Sequence, residues 1–144
     1  MKKSQKRLGN KGFSLVELIV VIAIMAVLVG VLAPTLIKNV EKSRQSKDKQ
    51  NLDTIRGAIT TVLADETYYD TLYNNEVYVS GSTGDVTIKE DGPSTATTKA
   101  LAEIKDTIGK DKVKMASKDY KDKKITFKIT NGKVEDATTV KESE

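Results

Sequence analysis

The sequence predicts an α+β fold, in which one long N-terminal α-helix packs its second half on a small antiparallel β-sheet. Three observations predict it. Leu18 to Ala33 is a run of sixteen residues without a polar side chain. Leu52, Ile55, Ile59, Val62 and Leu63 then recur at spacings of three and four, the period of a helix with one buried face. Beyond residue 73 the apolar residues come in short runs separated by Gly, Asn and Pro, as in strands joined by turns.

The N-terminal segment comes first. With Phe13 to Val16 the apolar run reaches about twenty residues, roughly what a helix needs to cross the hydrocarbon core of a bilayer. Lys2, Lys3, Lys6, Arg7 and Lys11 precede it, and Glu17 lies inside it. A carboxylate there is costly, by about 2.5–3.5 kcal/mol at a helix centre and less near an end, so Glu17 calls for a partner. A secretory signal peptide has a shorter apolar core, and a cut after Ala33 would leave Pro34 as the next residue. A plain single-span anchor fits the length and the positive-inside bias. It gives no reason for Gly12-Phe13 and Glu17 at their spacing.

Lys11-Gly12-Phe13-Ser14-Leu15-Val16-Glu17-Leu18 and the apolar residues after it closely resemble the signal sequence of type IV pilins and of the related pseudopilins. The resemblance covers the first quarter to third of the chain. It implies a basic leader, residues 1–12, cut by a prepilin peptidase between Gly12 and Phe13. It also implies N-methylation of the new Phe13 amine and an assembly role for Glu17, the fifth mature residue. Pro34 falls where many family members carry a proline. In such filaments the segment near residues like Gly30 and Pro34 can unwind and let the fibre stretch.

Elementary electrostatics is consistent with that pattern. A free amine at a helix N-terminus opposes the helix macrodipole. In a low-dielectric bundle, an acid of one subunit meeting the amine of its neighbour is far better than either charge alone. Such a pair would fix how far one subunit slides along the next. The bland alternative is that Glu17 merely reaches the headgroup layer.

The chain is expected to stay helical from about Phe13 to about Asp65, since no Gly or Pro lies between residues 35 and 56. Gly30 and Pro34 are its weak points, because proline removes a backbone hydrogen bond and kinks the helix. Glu41 to Asn51 is almost wholly polar. Val77–Val79 and Val86–Ile88 flank Gly81-Ser82-Thr83-Gly84 and read as a hairpin. Gly92-Pro93-Ser94 is a break. A short helix follows, capped by Ser94 or Thr95, with Ala100, Leu101, Ile104 and Ile108 on its face and Gly109 at its end. Val113-Lys114-Met115 reads as a further strand. Ile125–Ile129, Asn131-Gly132 and Val134 form the clearest hairpin, since Asn-Gly suits a type I′ turn. The last residues, from about Thr138 to Glu144, read as frayed.

Four segments result: leader 1–12, apolar assembly half of the helix 13–37, amphipathic half 38–72, and a β-rich globular region 73–144. The 144 residues carry 24 Lys+Arg against 20 Asp+Glu. Removing the leader's five cations leaves 19 against 20, so the apparent basicity belongs to targeting and is weak ground for nucleic-acid binding. Without Cys there is no disulfide, unlike many pilins, and no thiol nucleophile. Without His the commonest general base is missing, which points away from an enzyme.

No cofactor and no metal is indicated. Asp85, Glu90 and Asp91 lack EF-hand spacing and read as turn acids rather than a calcium loop. Lys118 to Lys124 reads as a charged surface turn rather than a DNA-touching loop. Tyr68, Tyr69, Tyr73 and Tyr78 read as cover for the helix–sheet junction or a subunit contact. The resemblance implies a single-pass precursor in the cytoplasmic membrane that becomes a cell-surface filament subunit. Its partners would be the prepilin peptidase, other copies of itself or other pilins, and the assembly ATPase and platform. Alternatives are a pseudopilin of a secretion-like or DNA-uptake system, or a surface domain that is anchored and never polymerises.

Overall fold

The computed structural model describes residues 12–89, 94–109 and 113–141. The leader before Gly12, the acids Glu90 and Asp91, the break at Gly92-Pro93 and the last three residues lie outside them. The chain divides into two compact units, Met1–Asn39 and Val40–Glu144.

Helix α1 runs Leu15–Leu63, as the patterning predicts, and continues without interruption through Gly30 and Pro34. In the first unit it is apolar on all sides, and none of its candidate membrane window is buried. In the second unit it buries one stripe: Asp48, Leu52, Ile55, Ala58, Ile59, Val62 and Leu63. A second helix that the sequence reading lacks, α2 (Glu66–Leu72), follows directly. Asp65 caps it by accepting a hydrogen bond from the Thr67 N–H at 2.8 Å.

Strands β1 (Glu76–Ser80) and β2 (Val86–Ile88) form the expected antiparallel hairpin, with Val77 opposite Ile88 and Val79 opposite Val86. Helix α3 (Thr95–Ile108) starts on a Ser94 cap and stops at Gly109, whose φ is 97°. Strand β3 (Lys123–Thr130) pairs antiparallel with β1, placing Val77 opposite Phe127 and Val79 opposite Ile125. The other side of β3 is shared. Strand β4 (Lys133–Val134) takes its C-terminal end and β5 (Thr138–Lys141) its N-terminal end.

Alternation along β3 turns Ile125, Phe127 and Ile129 inward to full burial and leaves Lys124 and Lys128 outside. These side chains join Val77, Val79, Val86 and Ile88 over the α1 stripe, with Ala100 and Ile104 of α3 and Leu72 of α2 completing one core. Each large side chain buried there contributes about 1.5–3 kcal/mol.

Two expectations are corrected. Val113-Lys114-Met115 is not a strand, because its neighbourhood spends its backbone donors elsewhere: Met115 N–H on the Gly81 carbonyl, Ala116 and Ser117 N–H on Asp48. The C-terminal residues do not fray from Thr138, since Thr138–Lys141 pairs with β3. The Asn131-Gly132 turn is as predicted, with both φ values positive at 51° and 71°. Its N–H groups dock on the chain after α2, Asn131 on the Asn74 side chain and Gly132 on the Tyr73 carbonyl.

Candidate functional site

In the first unit, Gly12, Phe13 and Ser14 are non-helical and α1 starts at Leu15. Ser14 Oγ accepts a hydrogen bond from the Val16 N–H at 3.3 Å, and its carbonyl accepts one from the Leu18 N–H. Glu17 reaches back, its Oε2 accepting the Ser14 N–H at 3.0 Å. This is close to a capping box, with the Ser14 side chain on the N–H of the second rather than the third helical residue, and it satisfies two donors of the helix start. The Ser-x-x-Glu spacing before an apolar run is its sequence signal, and reading Glu17 only as a charge partner overlooks it.

Phe13 is 92% exposed, and the large apolar side chains from Leu15 to Ile37 are also exposed, with Val20 the least so at 49%. Among the described residues, a Cβ added at Gly12 or Gly30 meets nothing within 4 Å, so packing against them requires neither glycine. The surface carries one carboxylate, Glu17, at its N-terminal end, and Pro34 near its C-terminal end.

In the second unit, the polar stretch before Leu52 has a direction that its composition does not reveal. Glu41, Gln45 and Asp48 continue the buried stripe at helical spacing and hold the segment after Met115. Fully buried Asp48 accepts hydrogen bonds from the Ala116 N–H, the Ser117 N–H and the Ser117 hydroxyl. Glu41 accepts the Lys118 N–H at 2.8 Å, and the Gln45 amide donates to Asp119 at 2.9 Å. The charged turn around Lys118–Lys124 is therefore tied to α1 at its start.

The tyrosines separate. Tyr68 packs against the core, while Tyr69 and Tyr73, with centroids 5.3 Å apart, lie beside the Asn131-Gly132 turn. A Cβ at Gly132 would come 2.8 Å from the Tyr69 hydroxyl. Tyr78 lies on the outer sheet face, where its hydroxyl donates to Glu76 at 2.6 Å and the Lys124 ammonium sits 3.6 Å from its ring centroid. That hydrogen bond pushes the Tyr78 phenol up to about 12. It also holds the Glu76 carboxyl below its ordinary value, with smaller help from Lys89, 3.5 Å away. Among the described residues no group of three or more His, Cys, Asp or Glu side chains could hold a metal ion.

The family model described as a prokaryotic N-terminal methylation motif matches residues 7–33. Over 83 residues, 58% of this chain and 58% of the relative, the sequence is 34% identical to the "Prepilin peptidase-dependent protein A" of Clostridium perfringens. Over 74 residues, 51% of this chain and 34% of the relative, it is 32% identical to the "Type IV major pilin protein PilA" of Myxococcus xanthus. The matches thus span less than two thirds of either relative's length. No solved structure matches.

Proposed function

We propose that this chain, which is type IV pilin-like and carries the prokaryotic N-terminal methylation motif, is a structural subunit of a type IV pilus or related filament. A prepilin peptidase cuts between Gly12 and Phe13 and methylates the Phe13 amine. The mature chain waits in the cytoplasmic membrane on its apolar helix. An assembly ATPase and its platform then move it into a filament, where that helix packs against those of other copies and Glu17 pairs with a neighbour's amine. Gly30 and Pro34 supply the place where the helix yields.

One observation carries this reading: the first half of α1 leaves its large apolar side chains exposed in the single chain. A patch of that size needs a cover. Lipid covers it before assembly and the helices of other copies cover it afterwards. Glu17 fits both states, since its capping bond to Ser14 satisfies part of the carboxylate before a neighbour's amine does.

Shearing of intact cells tests the proposal. The chain is expected in the sedimenting fibre fraction and to disappear from it when the assembly ATPase is deleted. Its recovery in the membrane fraction alone, in cells that do make fibres, contradicts the reading.

A further inference from the structure

The polar clamp of the second unit leaves exposed cations around it. Within 40–51 both acids turn toward backbone donors, Glu41 to the Lys118 N–H and Asp48 to the Ala116 and Ser117 N–H groups. The cations of the same stretch stay outside. At 100° per residue, Lys42 and Lys49 fall on one flank of the Glu41–Gln45–Asp48 stripe and Arg44 and Lys47 on the other, all four exposed. Arg44 keeps only a long 3.8 Å contact to Glu41. The clamped segment adds exposed Lys118 and Lys121. Asp119, engaged by the Gln45 amide, and Asp122 are the outward acids of residues 116–122. Six exposed cations thus lie around the clamp, on both flanks of the helix stripe and on the clamped segment, with two outward acids among them.

We infer that this basic surface docks on the anionic phospholipid headgroups of the bilayer that the chain's own apolar segment enters. The inference rests on the membrane-precursor stage proposed above. Two observations select lipid over other polyanions. The surface begins where the apolar segment ends, Lys42 lying five residues after Ile37 and Lys49 twelve residues after it. At 1.5 Å per residue those positions are no more than about 8 and 18 Å along the helix, within reach of the headgroup layer and one Debye length beyond it. The side chains are also prearranged, because Glu41 and Asp48 keep their charge but turn toward the clamped segment while the cations of the stretch point to solvent. Docking would hold the globular unit at the membrane before assembly, and extraction into a filament would have to release it.

The full chain, reconstituted in nanodiscs of phosphatidylcholine with or without phosphatidylglycerol, tests this by lysine acetylation read by mass spectrometry. Lys42, Lys47, Lys49, Lys118 and Lys121 are expected to label about threefold more slowly in the anionic discs. About 0.5 M NaCl should remove the difference, and Lys99 and Lys133 should label equally in both discs. Equal labelling of the five lysines, with the chain in both discs, overturns the inference and leaves the membrane reading standing. Protection produced by added DNA in neutral discs, with none from phosphatidylglycerol, overturns it in favour of nucleic acid. Protection that follows the number of chains per disc rather than lipid charge overturns it in favour of a second copy. A chain that enters neither disc overturns the membrane reading and the inference with it.

Discussion

Asp48 and Ser117, 69 positions apart in sequence, share a buried contact in which the Ser117 backbone N–H and hydroxyl both donate to one carboxylate oxygen of Asp48. The other oxygen accepts the Ala116 N–H at 3.0 Å. In a chain without cysteine, this anchors the segment leading into β3 to the long helix.

Asp48→Ala is expected to destabilise the globular unit by about 3 kcal/mol, because three donors, two of them buried, lose a charged acceptor together. Asp48→Asn keeps the volume but presents an amide N–H2 to those donors, and should fall between Ala and the native residue. Urea unfolding of the full chain in detergent, followed by circular dichroism, measures both. A loss below about 0.5 kcal/mol for Ala would show that the segment is held by its packing alone.

The Glu76–Tyr78 pair predicts stability losses at both ends of the pH scale. Glu76 has a folded pKa below its ordinary 4.5, so its contribution is complete above 4.5 and fades as pH falls through the lowered value. Tyr78, pushed up to about 12, contributes below pH 10 and stops contributing as pH rises through about 12. Tyr78→Phe should flatten both limbs. Ultraviolet titration should lose a tyrosine ionising near 12 in that variant, and an unchanged titration curve would contradict the assignment.

Glu17 has two roles that substitution can separate. Glu17→Gln keeps an acceptor for the Ser14 N–H and removes the charge, whereas Glu17→Val removes both. The account expects both variants to insert normally and both to reduce sheared fibres severely, with Val also losing about 1 kcal/mol of helix-start stability. Normal fibre yield from Gln would reduce Glu17 to a capping residue.

Gly12 is the small residue before the proposed scissile bond, and a Cβ there would meet nothing among the described residues. Its requirement should therefore appear only with the peptidase. Gly12→Ala should be cleaved better than Gly12→Val, with folding unchanged in both. Immunoblots of precursor and mature bands measure this, and equal processing of the two variants would contradict it.

Much of this fold is legible in the sequence because it rests on local chemistry. The period of Leu52 to Leu63 marks the buried helix face, Ser94 and Gly109 bound α3, and Asn131-Gly132 makes its turn. What stays hidden depends on distant partners. Asp48 looks like any acid in a polar run until a segment 68 residues away brings its N–H groups. Helix α2 has seven residues, too few for a period to show. Strand β5 is exposed at every position, so no alternation separates it from a polar tail. The N-terminal segment is the reverse case, for its Gly-Phe junction, lone acid and apolar run are all contiguous.

The most direct test is the intact mass and N-terminal sequence of the protein from its own cells. The account predicts a chain that begins at Phe13 and carries one additional methyl group on its amine. An unprocessed chain beginning at Met1, in cells whose prepilin peptidase is active on other substrates, would contradict it and leave a simple membrane anchor.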